Sequence, residues 1–214
     1  MKFDIFLDDI SLSENYGLRV LKYSISPPVA KTMIIDIPGT SDYFDLTESI
    51  SGNVEYQMRT IKVTADLRFS RDQFFSVFSG LSNAITGKRT KIKFSWDPDF
   101  YWIGRVEFSD CTNILGYGGQ IEMIATVEPY KYEINQQYPV ALTLPQTVTL
   151  VGLHKHICPV FLCSNEMTVE YLGNTYSLNT GENQILEIFL GPGTHELNFS
   201  GTGTVTIDYR GASL

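Results

Sequence analysis

Apolar residues recur at every second position through most of the chain. Residues 54–69 place them at Val54, Tyr56 and Met58 and then at Ile61, Val63, Ala65, Leu67 and Phe69. The phase changes between Met58 and Ile61, so the pattern predicts one long strand, bent by a bulge or handed between two sheets. Further runs follow at Lys91–Phe94, Tyr101–Phe108, Ile121–Val127, Met167–Tyr171 and Val205–Tyr209. Between them, Trp96-Asp97-Pro98-Asp99 reads as a turn, Gly116, Gly118 and Gly119 as a reversal, and Gly173-Asn174 as a two-residue hairpin loop.

One segment departs from period two. Phe74, Phe78, Leu81 and Ile85 form a single helical stripe. Ser70 and Gln73 fit a capping box, Gly87 fits the residue after the last turn, and Lys88 and Arg89 suit the negative end of the dipole. These signals predict a helix over about 71–86, the only long one. The fold class that follows is all-β with one α-helix. Around 130–144 the pattern weakens, with Gln136, Gln137, Pro139 and Pro145 interrupting it. That stretch divides the chain into an N-terminal β domain, 1–137, sandwich- or barrel-like, and a small β-sandwich, 138–214. Gly191-Pro192-Gly193 and Gly201-Thr202-Gly203 punctuate the latter.

Composition fits this picture. The 214 residues suffice for about one and a half average domains. Abundant Tyr and Phe argue against disorder. Sixteen basic and 24 acidic residues give a net charge of −8, which disfavours general phosphate binding. Half of that charge falls in 139–214, where Lys155 and Arg210 face six acids. Three cysteines are too few, and odd in number, for a disulfide framework. The acids near the N-terminus oppose a secretory signal, and no apolar run reaches the length of a membrane span.

Candidate chemistry is sparse. On a strand, His154, His156 and Cys158 would share a face, with Cys163 as a possible fourth zinc ligand, but the spacing matches no common zinc module. Asp97 and Asp99 could mimic a carboxylate pair, yet the turn accounts for them. Lys88, Arg89, Lys91 and Lys93 form the one dense basic cluster, read as helix-end complementation and a solvated strand face, with a phosphate or an acidic protein partner as the other readings. Gly116-Tyr117-Gly118-Gly119 lacks the Lys-Ser/Thr of a phosphate loop, and there is no nucleophile elbow. No catalytic residue, metal or cofactor is expected, and the chain does not read as an enzyme.

Residues 27–61 carry the most specific pattern. Ile35-Asp36-Ile37-Pro38-Gly39 is followed by Phe44-Asp45-Leu46-Thr47-Glu48 and then by Gly52, Tyr56 and Arg59. This order resembles the distal tail protein family of phages with long, non-contractile tails, as do the downstream helix and the C-terminal sandwich after a Pro-rich link. One position departs: Ser41-Asp42 stands where the family often has a second Gly. The resemblance implies a homo-hexameric ring at the distal end of the tail tube, in the virion. Such a ring joins the tube protein to the tail-tip hub and lets DNA transit its lumen, which an acidic wall would not retain. It also implies a galectin-like C-terminal domain that docks receptor-binding or baseplate proteins. Asp36, Pro38, Gly39, Asp45, Leu46, Thr47, Tyr56 and Arg59 are then expected at the subunit interface. The alternative is a lectin-like module that binds a host carbohydrate.

Overall fold

The computed structural model describes residues 3–49, 52–67, 71–114, 118–138 and 140–214. They form two compact units, one running up to Pro98 and including Trp102–Pro129, the other made of Asp99–Tyr101 and Tyr130–Leu214. The all-β expectation holds, with two helices among the described residues, one more than expected.

The first unit begins with a hairpin of β1 (Ile5–Leu7) and β2 (Ile10–Ser11). Asp8 and Asp9, both at positive φ, make its two-residue turn, a conformation that short polar side chains tolerate. Helix α1 (Leu12–Tyr16) follows at once, capped by Ser11, whose hydroxyl accepts from Glu14 N, and stopped by Gly17 at φ +64°. Ser11-Leu12-Ser13-Glu14 is a capping-box sequence that the apolar pattern overlooked. Strand β3 (Leu18–Ile25) leads into a small hairpin, β4 (Ile34–Asp36) and β5 (Tyr43–Asp45), before β6 (Arg59–Leu67) returns beside β3. Helix α2 (Arg71–Ile85) matches the expected boundaries; β7 (Arg89–Phe94), β8 (Asp97–Ile114) and β9 (Gly118–Val127) complete the unit.

The strands run in the order β2-β1-β7-β8-β9-β6-β3. The sheet curls so that Ile5, Leu7, Ile92 and Phe94 from one side meet Ile61, Val63, Met123 and Ala125 from the other, leaving an apolar void of only about 20 Å³. No barrel closes among the described residues. Helix α2 buries Phe74 and Leu81 in the same core. Gly119 has no side chain because Phe74 occupies the space where its Cβ would stand.

The core is anchored at its edge by a buried carboxylate. Asp4 accepts from Ser11 Oγ (2.6 Å), Ser13 Oγ (2.8 Å), Ser13 N (3.0 Å) and Ile5 N (2.8 Å). Burial raises its pKa, but these four donors outweigh burial and hold it below the ordinary carboxylate value.

The second unit contains β10 (Lys131–Glu133), β11 (Leu142–Thr143), β12 (Gln146–Gly152), β13 (Val160–Cys163), β14 (Met167–Tyr171), β15 (Asn174–Leu178), β16 (Gly181–Gln184), β17 (Gly193–Gly201), β18 (Thr204–Asp208) and β19 (Ala212–Ser213). Two four-stranded antiparallel sheets, β11-β18-β13-β16 and β12-β17-β14-β15, form a sandwich around Leu150, Phe161, Val169, Leu197 and Phe199. Residues 130–138 are tied to it. Gln137 bridges both backbone groups of Val151, and Glu133 accepts from Gly211 N at 2.8 Å.

Three local expectations change. The turn between β7 and β8 is Ser95-Trp96, so Asp97 and Asp99 lie within β8. The loop between β14 and β15 is Leu172-Gly173, because Tyr171 pairs with Asn174. Strand β6 starts at Arg59, so no single bent strand spans 54–67. Ser70, Phe69, Gly116, Tyr117 and Pro139 lie outside the described residues.

Candidate subunit interface

Between β3 and β6 the chain leaves the sheet and returns, forming an arm. Its stem is a narrow ladder: Ser26 N donates to Thr60 O, Gln57 N to Val29 O and Lys31 N to Glu55 O, with Ala30 bridged to Tyr56. The phase change read between Met58 and Ile61 therefore marks where the stem ends and the sheet begins. Val54 and Tyr56 belong to the stem, and Met58 is exposed.

Arg59 fixes the root of the arm. It is buried, its Nε donates to Ser26 O at 2.8 Å, and its guanidinium lies 4.8 Å from the Trp102 ring centroid. Burial pulls its pKa down. A cation stacked on an aromatic face and bonded to a carbonyl is adequately compensated there.

Beyond the stem, β4 and β5 pair only with each other among the described residues. Ile37-Pro38-Gly39-Thr40 forms a turn closed by Thr40 N donating to Ile37 O at 3.2 Å, with Gly39 at φ +86°. Pro at the second position and a positive φ at the third define a type II turn, which requires Gly there. Thr40 Oγ1 then accepts from Asp42 N, stabilising the Ser41-Asp42 return. At the inner end, Asp45 accepts from Thr47 N at 2.9 Å, and Thr47 Oγ1 accepts from Met33 N at 3.1 Å. The hydrogen bonds from Thr47 hold the Asp45 pKa below its ordinary value.

The eight residues named from the sequence thus share one arm but differ in position. Asp36, Pro38, Gly39 and Asp45 are exposed in its hairpin; Leu46 and Thr47 are half-buried at its inner end; Tyr56 and Arg59 lie in the stem and root.

The exposed apolar residues of the arm's hairpin were not among the interface residues expected from the sequence. Pairing puts Ile35 and Phe44 on one face, with Met33 continuing it by period two, and Ile34 and Tyr43 on the other beside Asp45 and Asp36. Exposure is 46% at Ile35 and 60% at Phe44 and Tyr43. Three consecutive apolar residues, Met33-Ile34-Ile35, were the available signal, since on a strand they populate both faces.

The other candidates are accounted for locally. Residues 154–158 do not form a strand; His156 stacks on Phe189, Cys158 Sγ donates to Ile185 O at 2.9 Å, and Cys163 is buried in the sandwich. No cluster of three metal-ligating side chains occurs among the described residues. In the basic cluster, Arg89 pairs with Glu128 and Lys93 with Asp9. A groove of about 370 Å³ on the second unit, between β14, β15 and the end of β17, is lined by Glu166, Thr168, Ser177, Asn179 and Ser200, without an aromatic ring among its described residues. No helix among the described residues is long and apolar enough to cross a membrane.

These features define a two-unit all-β protein with a sheet-borne arm. The chain has the fold of the SPP1 Dit protein, whose crystal structure is described as a paradigm of the hub adsorption apparatus in phages infecting Gram-positive bacteria. The likeness covers 98% of this chain and 99% of that one, with a TM-score of 0.64 at 15% sequence identity. It bears out, at the level of the fold, the resemblance read from residues 35–59. No protein-family model matches the sequence, and no curated protein matches it.

Proposed function

We propose that this protein is a structural component of a phage tail adsorption apparatus, and that six copies close into a ring at the distal end of the tail tube. The ring joins the tube to the tail-tip hub, DNA transits its lumen, and the galectin-like second unit docks adsorption proteins. The observation that carries the reading is the arm. A two-stranded hairpin is marginal in water, and this one exposes apolar side chains on both faces. Closure against further copies covers such an arm while ending assembly at a finite size. The full-length likeness to SPP1 Dit supports the tail context.

The carbohydrate alternative is less favoured. Sugar sites commonly set an aromatic face beside their polar groups, and the groove of the second unit has no aromatic ring among its described lining residues. Negative-stain electron microscopy of the concentrated protein tests the ring. Closed rings of six subunits are expected; a field of isolated subunits at all concentrations would overturn the reading.

A further inference from the structure

The arm is acidic, and the surface beside its root carries two lysines and one glutamate. Residues 33–48 contain Asp36, Asp42, Asp45 and Glu48 and no Lys or Arg. On the outer face of the sheet, Lys22 and Ser24 of β3, Lys62 and Thr64 of β6, and Glu122 and Ile124 of β9 line a groove of about 100 Å³. Lys22 and Lys62 are exposed, and neither has a carboxylate partner among the described residues.

The two surfaces also share a geometry. In the sheet, Lys22 stands opposite Thr64 and Lys62 opposite Ser24, so the lysines occupy diagonal corners of a four-residue plaquette. In the arm, Asp36 stands opposite Tyr43 and Asp45 opposite Ile34, so the two acids occupy diagonal corners of another. Antiparallel pairing sets both diagonals at about 7–8 Å. The flanking groups also fit: Ile34 and Tyr43 lie beside the acids, and Ile124 offers an apolar floor beside Lys62.

We infer that the Asp36–Asp45 face of one copy's arm docks on the Lys22–Lys62 groove of a second copy of this chain. The inference rests on the ring reading and specifies its contact. The two surfaces are different patches of one chain, so the contact is head-to-tail and can propagate around a ring. The arm's other face, Met33, Ile35 and Phe44, lies outside this contact and, on the ring reading, is covered by a different part of a neighbouring copy.

Charge exchange tests it. Lys22→Glu/Lys62→Glu and Asp36→Lys/Asp45→Lys each set like charges against each other, and each is expected to raise the concentration for half-assembly about a hundredfold in sedimentation velocity. All four substitutions are at exposed positions, and unchanged melting of each variant confirms that folding is intact. Mixing the two variants is expected to restore assembly, because the basic arm of one then meets the acidic groove of the other, and the reverse pairing also holds. The restored species would alternate and contain equal numbers of each variant.

Wild-type assembly with unaffected variants would overturn the inference and leave the ring standing. So would assembly lost in both variants and not restored on mixing. A wild type that remains monomeric up to millimolar concentration would overturn the ring and this contact together.

Discussion

Two hairpins of this molecule have opposite surroundings. The β14–β15 pair buries Met167, Val169, Tyr171 and Leu178 in the sandwich and turns Thr168, Glu170 and Ser177 outward. The β4–β5 pair buries neither face, although Ile34, Ile35, Tyr43 and Phe44 are as apolar as the residues of the other pair. One-sided alternation marks a strand that completes its core within the chain. Apolar residues on both faces mark a strand whose cover comes from elsewhere.

Substitutions at matched positions expose that difference. Val169→Asp places an unpaired carboxylate at a fully buried site and is expected to cost more than about 4 kcal/mol, unfolding the second unit in thermal denaturation. Ile35→Asp in the arm is expected to leave melting unchanged while abolishing assembly. Comparable destabilisation by both would erase the contrast.

Glycines sharpen it at the next level. Gly119→Ala drives a methyl group into Phe74 and the Thr112 carbonyl and is expected to cost about 2–3 kcal/mol, read as a lowered denaturant midpoint. Gly39→Ala meets no neighbouring atom but must hold φ +86°. Its cost of about 1 kcal/mol should appear as weakened assembly rather than as a lower midpoint.

The acids give a third contrast. Asp4 is buried with four donors and a depressed pKa, so its stabilisation is present above the unfolded carboxylate pKa and disappears as pH falls through the folded value. Asp4→Asn is expected to cost about 1–3 kcal/mol at neutral pH and to flatten the acid limb of the stability profile. Asp45 has the same direction of shift but is exposed; Asp45→Asn should alter that limb far less than Asp4→Asn.

The smallest effect concerns a hairpin tip. Leu172 sits at φ +50° in the two-residue loop of β14–β15 and is 81% exposed. Leu172→Asn, a residue that favours this conformation, is expected to stabilise the second unit by about 0.5–1 kcal/mol, measured by urea denaturation.

The elements that the sequence made legible were those whose signals are local. Helix α2 carries its stripe and its stop within fifteen or so residues, and Gly87 does take a positive φ, +75°. Two one-sided strands of the sandwich, at 167–171 and 205–209, were equally plain. Failures arose where a tertiary partner overrode the local cue. Asp97-Pro98-Asp99 has turn composition, but Trp96 stacks on Phe94 at 4.7 Å and the reversal falls at Ser95-Trp96. Tyr56 continues the alternation of a strand, but its backbone bridges Ala30 and not the sheet. Arg59 occupies an inward position of β6 that the pattern reserves for apolar residues, and Ser26, Trp102 and Pro129, 33, 43 and 70 residues away, explain it.

The central claim is that the arm's apolar faces are covered by further copies of the same chain. Native mass spectrometry of the wild type beside Ile35→Asp/Phe44→Asp tests it most directly. The account predicts six copies for the wild type and one for the variant, at equal melting temperatures. A variant that assembles like the wild type would contradict it.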